Sequence, residues 1–294
     1  MKDCIRNFFA IIAVAALGLG VYNFLKQPAT LGTAEDVGSK VFDRVISRGE
    51  LRVGYLIMPP YMSRQAASDS MSGIFADVVE EMGRRLNLKV NWVEEVNIAT
   101  LSEGLDAGRY DMIGFPLWPS AERSKKVGFS IPLLYTTVGC YVRTDDRRFD
   151  QGLAAINSEQ IRVSTIDGEM AESIAKSDFP MAQRVALPPL SDYSQLLLQV
   201  VSKKADVAFN NAKDARRFMA RNPSQLRELG SEPVRVFPEC FVLPLGDVKF
   251  QSMIDVTVRE LIENGFLIKA LMRNGEDPQD YFMPARPYRG GVSK

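Results

Sequence analysis

The sequence predicts an α/β fold of two alternating units in tandem, and three observations carry that expectation. Short apolar runs, too brief for helices, alternate with stretches whose apolar residues recur at helical spacing. That is the signature of βαβ units around a mostly parallel sheet with right-handed crossovers. The alternation begins near Phe42, stops at the charged turn Thr144–Arg148 and begins again at Ile161. The 294 residues, 46% of them apolar, suffice for one or two cored domains.

Taken in order, the chain opens with Lys2 and Arg6 before an uncharged apolar run, Phe8–Leu25. Basic residues followed by such a run at the extreme N-terminus read as an export signal, or as an uncleaved membrane anchor given its length. A buried core helix is the alternative. Residues 26–40, with Pro28, Gly32 and Gly38, read as a linker. Leu51–Leu56 reads as a strand and residues 63–72 as a loop. Phe75–Leu86 is an amphipathic helix through Phe75, Val78, Val79, Met82 and Leu86. A strand at Lys89–Val96, a short helix at Ala99–Ala107 and a strand at Asp111–Phe115 complete the first alternation.

Thr136–Arg143 is the next strand. The second alternation follows as strand Ile161–Thr165, helix near Glu169–Lys176, strand Arg184–Leu187, helix Tyr193–Ser202, strand Asp206–Asn210 and helix Ala212–Arg221. Val234–Leu243 is a further strand, with helices at Val248–Glu263 and Leu267–Met272 and a Pro-rich basic tail from Pro284. Two α/β units in tandem leave a cleft between them, where small ligands bind.

Composition removes several function classes. Lys and Arg total 36, as do Asp and Glu, and no basic stripe with interleaved aromatics argues for nucleic acid. There is no histidine, so Ser-His-Asp and Cys-His catalysis are excluded, and three scattered cysteines make no metal site. No GxGxxG, Walker loop or CxxC is present, and no cofactor is expected. Export would place Cys140 and Cys240 in an oxidising compartment, where either a disulfide or two buried thiols is compatible with the sequence.

The stretch Gly114–Pro132 holds the clearest site candidates. Ser120 has the character of an N-cap for a short helical turn carrying Arg123, Lys125 and Lys126. A polar turn at the carboxyl end of a sheet strand, with an arginine in it, is where open α/β sheets hold anions. A solvated surface turn is the alternative.

Several segments together resemble a known family. They are Arg48-Gly-Glu-Leu-Arg-Val-Gly54, Pro59-Pro-Tyr61, Gly73-Ile-Phe-Ala-Asp77 with Arg85-Leu86, Leu105-Asp-Ala-Gly-Arg-Tyr-Asp111 and Ala121-Glu-Arg-Ser-Lys-Lys-Val-Gly-Phe-Ser130. Over about Phe42 to Phe282 the chain is similar to the polar-amino-acid class of bacterial extracellular solute-binding proteins, which serve ABC importers. The resemblance implies a two-lobed periplasmic-binding-protein fold of type II, closing on its ligand about two hinge strands. Carried over, residues 1–41 are signal or anchor plus linker. Residues 42–137 and 238–285 form lobe one, 138–237 lobe two and 286–294 a tail. Tyr135–Thr137 and Phe237–Cys240 become the hinges.

The family's carboxylate-binding arginine falls on Arg123, whose planar donors suit a carboxylate. Tyr61 matches the aromatic over the ligand, and Gly168 with Glu169 matches the lobe-two turn that donates backbone N–H groups. The chain departs from the family at Pro116 and Trp118, where a glycine and a threonine usually meet the amino-acid head group. It departs again at Asn211, where an aspartate usually accepts the ammonium. The ligand is therefore expected to be a small carboxylate or other anion, bound by Arg123, Trp118, Ser120, Tyr61, Gly168, Glu169 and Asn211. Trp118 has an alternative use, offering its indole face to an aromatic or cationic group. The expected partner is an inner-membrane ABC permease and the expected place the periplasm, with Phe8–Leu25 as a membrane anchor if it is retained. Two other readings stay open: an enzyme on the same fold, as in periplasmic cyclohexadienyl dehydratases, with Glu169 as the acid–base candidate, and a membrane-anchored sensor.

Overall fold

The computed structural model describes residues 40–65, 70–98, 100–189 and 191–284. The expected signal or anchor Phe8–Leu25, the linker before Lys40 and the tail 286–294 lie outside the described residues, as does Ala99. Among the described residues no helix is long and apolar enough to cross a membrane.

Helix α1 (Lys40–Arg48) buries Val41 and Val45, one turn apart, and stops at Gly49, whose φ of 64° suits a residue without a side chain. Strand β1 (Glu50–Tyr55) follows. Where a loop was expected, β2 (Ser63–Arg64) and β3 (Met71–Ser72) form a two-residue antiparallel pair. Helix α2 (Ile74–Leu86) buries Ile74, Val78, Val79 and Met82 and ends on Asn87 in the left-handed region. Strand β4 (Lys89–Glu95), helix α3 (Leu101–Asp106), and strands β5 (Met112–Leu117), β6 (Gly128–Phe129) and β7 (Leu134–Arg143) come next. The second unit runs β8 (Arg162–Ile166), α4 (Met170–Asp178), β9 (Gln183–Leu187), α5 (Ser194–Val201), β10 (Val207–Asn211), α6 (Ala212–Arg221) and β11 (Leu226–Glu228). Strand β12 (Arg235–Leu243) leads to α7 (Val248–Glu263) and α8 (Phe266–Arg273). The Asp247 carboxylate accepts from Val41 and Phe42 N–H at 2.9 and 3.2 Å and from Phe250 N–H at 3.0 Å, so one side chain caps both α1 and α7.

The strands lie in the order β4-β1-β5-β12-β7-β10-β8-β9. Parallel pairing holds within β4-β1-β5 and within β10-β8-β9, whereas β12 and β7 pair antiparallel with each other and with their flanks. The expectation of a mostly parallel sheet thus describes the two outer trios and fails in the middle, where two long strands run in opposite directions. Arg235–Glu239 of β12 pairs with β7, and Cys240 and Val242 pair with β5. Tyr135 also exchanges backbone hydrogen bonds with Phe282, at 2.8 and 3.0 Å.

Two apolar cores result. One draws on Val41–Leu134 and Phe241–Tyr281, the other on Val138–Leu229. The same polar device fixes the strands in each. Asp111, before β5, accepts from Arg52 N–H at 2.9 Å and from the Arg44 and Arg52 guanidiniums. Asp206, before β10, accepts from Arg162 N–H at 3.0 Å and from Arg143, Arg148 and Arg162. In both cases the aspartate is buried and the arginine sits between two apolar residues at or near the start of a neighbouring strand, Leu51-Arg52-Val53 or Ile161-Arg162-Val163.

Cys140 and Cys240 are buried free thiols, the second of the two arrangements that the sequence left open. Burial, with Glu239 and Asp255 adding to it, pushes the Cys240 thiol up to about 12, away from the reactive thiolate.

Candidate functional site

The chain crossings bring residues of both cores around a cavity of about 100 Å³. Tyr61, Trp118, Glu169 and Asn211 line it. So do Asp214, Tyr193 and Tyr281, which the sequence reading did not pick out, and Phe237 and Glu239, which it named only within a hinge. Beside it a wider cleft of about 720 Å³ is lined by Ser120, Arg123 and Gly168, and again by Trp118 and Glu169. The seven expected residues therefore gather in one region, although their contacts differ from those the resemblance implies.

Ser120 ends the turn after β5, and its Oγ accepts from Arg123 N–H at 3.1 Å. The helical turn it starts is a 3₁₀ turn of three residues, Arg123–Lys125. Arg123 donates through Nη1 to Trp118 O at 2.9 Å and through Nη2 to Gly168 O at 3.3 Å and Glu169 Oε1 at 3.5 Å. Its guanidinium lies 4.3 Å from the centre of the Trp118 ring, so one face of the indole carries a cation of the protein. Trp118 also packs on Phe237 at 5.1 Å between ring centres. Its indole N–H is buried without an acceptor among the described residues. Arg123 thus spans from one core to the other instead of presenting an open fork.

The turn Gly168-Glu169 also differs from expectation. Gly168, at φ 79°, gives its N–H to Glu172 Oε2 at 2.9 Å, and Glu169 gives its own to Ile166 O at 3.1 Å. Neither donor is free for a ligand. The Glu169 side chain, 9% exposed, accepts from Tyr193 Oη at 2.7 Å as well as from Arg123. Asn211 caps α6, its Oδ1 accepting from Lys213 and Asp214 N–H at 3.0 and 3.4 Å. Tyr61 stacks on Phe75 at 6.1 Å, and burial pushes its hydroxyl well above the ordinary tyrosine range.

Carboxylates dominate what remains. Glu239, on β12, accepts from Thr136 Oγ1 at 2.9 Å. Burial pushes its carboxyl up to about 8; the Thr136 bond and Arg123 oppose the rise, and Glu169 adds to it. Part of its surface stays accessible, but toward the cavity. Asp214, on the first turn of α6, is also raised by burial, with Arg217 and Lys213 opposing. Its Oδ1 is 3.9 Å from Arg217 Nη1. Among the described residues no group of three acidic or cysteine side chains could hold a metal ion. Behind Tyr61 and Tyr281, Lys213 pairs with the buried Glu276, which also takes a hydrogen bond from Tyr281 Oη and an ion pair from Arg217 at 2.8 Å. One sequence signal was available for Glu239: a single acid inside the otherwise apolar run Val236-Phe-Pro-Glu-Cys-Phe-Val-Leu243.

The model of the bacterial extracellular solute-binding proteins, family 3, matches residues 51–273. The chain belongs to that family. Among its relatives, a probable histidine-binding protein of Campylobacter jejuni is 25% identical over 174 residues, 59% of this chain and 64% of the relative. The L-cystine-binding protein of Bacillus subtilis is 22% identical over 276 residues, 92% of this chain and 96% of the relative. Of solved structures, an ancestral amino-acid-binding protein described as a precursor of cyclohexadienyl dehydratase superposes with a TM-score of 0.63 at 21% identity. It covers 80% of this chain and 99% of that one. The likeness in fold is the two-lobed architecture of periplasmic amino-acid-binding proteins.

Proposed function

We propose that the protein captures a small polar solute in the cleft between its lobes, on the outer side of the inner membrane, and hands it to an ABC importer. The observation that carries this reading is the cavity of about 100 Å³ lined by residues of both cores and by Thr136 of β7 and Glu239 of β12. Lobe one then comprises 42–137 and 238–285 and lobe two 138–237, with Tyr135–Thr137 and Phe237–Cys240 as hinges. Arg123, reaching Gly168 and Glu169, is a contact that forms on closure. The relatives named for histidine and cystine support a nitrogen-bearing solute. So does the lining, whose acids outnumber its bases, and it favours such a solute over the bare anion expected from Arg123.

A screen of the purified protein against amino acids, amines, organic acids and sugars tests the capture reading. A ligand at 100 times its dissociation constant adds about 2.7 kcal/mol of stability. The ligand found should also shrink the radius of gyration without changing secondary structure. Stabilisation by no class of small solute, or binding with no compaction, would count against capture by hinge closure. A second reading rests on Glu239 beside Glu169: a carboxyl neutral near pH 7 next to a hydrogen-bonded partner is the arrangement acid–base catalysis uses. Turnover of a bound compound by the parent, lost in Glu239→Gln, would favour an enzyme.

A further inference from the structure

We infer that the cleft selects an organic amine that carries no α-carboxylate. This rests on the capture reading and deepens it. The inference follows from counting donors and acceptors at the cavity. An α-carboxylate needs hydrogen-bond donors with positive charge, and the three that should meet it are committed to the protein. Arg123 is held by Trp118 O, Gly168 O and Glu169; Gly168 N–H is held by Glu172; Glu169 N–H is held by Ile166 O. The donors that remain at the cavity are neutral, the indole N–H of Trp118, the amide of Asn211 and the protonated carboxyl of Glu239, and none brings positive charge to a carboxylate.

Acceptors are in the opposite position. Glu169, Asp214 and Glu239 line the cavity, and no Lys or Arg lines it. The nearby cations are paired within the protein. Arg123 lies over Trp118, Arg217 reaches Glu276, and Lys213 pairs with Glu276 and donates to Tyr281 Oη at 2.9 Å. Tyr61, Tyr193, Phe237 and Tyr281 supply the ring surface that attracts an ammonium or guanidinium group. A carboxylate entering with the ligand meets this acidic lining without a cation to offset it. Asn211 fits the same logic, because its oxygen serves the helix cap and demands nothing of the ligand.

The hinge strand adds a signature. Glu239 faces Thr136 from β7, Arg123 and Glu169 across the cleft, Asp214 from α6, and the hydroxyls of Tyr193 and Tyr281. Its carboxyl, raised to about 8 by burial, is mostly neutral at pH 7 in the empty cleft. A bound cation stabilises the ionised form, so binding expels a proton. Affinity therefore rises with pH, by at most about tenfold per unit, up to about pH 8 and levels off above it.

The test uses matched pairs that differ only by the carboxylate: agmatine and arginine, tyramine and tyrosine, histamine and histidine. Calorimetry on the purified protein is expected to find that, in every pair where either partner binds, the amine binds at least tenfold tighter. At pH 7 the heat of amine binding should change between phosphate and Tris in proportion to protons released, and Glu239→Gln should abolish that difference. Asp214→Asn should weaken the amine, and a folded far-ultraviolet spectrum for each variant separates lost affinity from lost structure. Equal or tighter binding of an amino acid than of its amine, or no binding by any of the three amines, overturns the inference. If amino acids, acids or sugars bind instead, capture of a solute stands and only the ligand class falls. If no solute of any class binds, both fall.

Discussion

Replacing Asp206 by Asn tests how the lobe holding the Gly168-Glu169 turn is kept in place. The Asp206 side chain is 3% exposed and takes hydrogen bonds from Arg143 at 3.1 Å, Arg148 at 2.8 Å and Arg162 at 3.0 Å, besides Arg162 N–H. Removing one partner of a buried ion pair costs about 3–5 kcal/mol. Two features reduce that figure. Arg148 and Arg162 are 46% and 39% exposed and can rehydrate, while Asn keeps an acceptor for Arg162 N–H. Arg143, 12% exposed, keeps Asp146 and two backbone carbonyls. About 2–3 kcal/mol remains, which for a body of this size lowers the melting temperature by about 4–12 °C. The sign with pH follows from the carboxyl. Burial alone would raise it, but the hydrogen bonds from Arg162, Arg148 and Arg143 hold it far below the ordinary carboxylate range. A depressed folded value means the stability is complete above the unfolded value near pH 4 and is lost as pH falls below it. Thermal unfolding of parent and variant at pH 7.5, 5 and 3 should show a gap that is constant between the first two and narrows at the last. A fall of less than about 2 °C at pH 7.5, or a gap unchanged at pH 3, would refute the assignment of this carboxylate as the charge that anchors β10.

Three further outcomes follow from single contacts. Asn211→Ala removes the cap of α6 and should cost about 1 kcal/mol in urea unfolding, whereas Asn211→Asp, which keeps a capping oxygen, should cost less. Glu276→Ala leaves Lys213 buried without its partner and should cost about 3–5 kcal/mol, and adding Lys213→Met should restore most of it; no recovery in the double variant would argue against the pair. Alkylation followed by mass mapping should leave Cys140 and Cys240 unmodified in the native protein and modify both in denaturant without reductant, while a requirement for reductant would reveal a bridge.

The fold was legible where periodicity and local chemistry agreed. Helix α2 announces itself by Phe75, Val78, Val79 and Met82, and the repeated order of strand, helix and strand was enough to infer two α/β units. What stayed hidden were elements defined by partners far along the chain. The strand β11 is three residues long and exists because β7 offers it an edge, and β2 and β3 are two residues each. The antiparallel centre of the sheet was equally out of reach, because a strand's direction against its neighbour is a property of the pair and leaves no periodic trace.

The site shows the same division, with sharper chemical consequences. Sequence placed Arg123, Trp118 and Glu169 in one region, and that much is decided by the strand ends that carry them. Their chemistry was decided elsewhere. An arginine is an anion site only while its donors are unclaimed, and Arg123 is claimed by carbonyls of Trp118 and Gly168 and by a carboxylate 46 residues away. Glu239 reads as an isolated charge in an apolar strand until Thr136, 103 residues earlier, is brought against it by the pairing of β7 with β12. The balance of donors and acceptors in the cleft is therefore fixed by the crossing strands. Glu169 belongs to both sides of that balance: a related chain without its carboxylate would keep Arg123 on the Trp118 and Gly168 carbonyls while losing one acid from the cavity lining, so the charge around the cleft would change with the arginine still held in place.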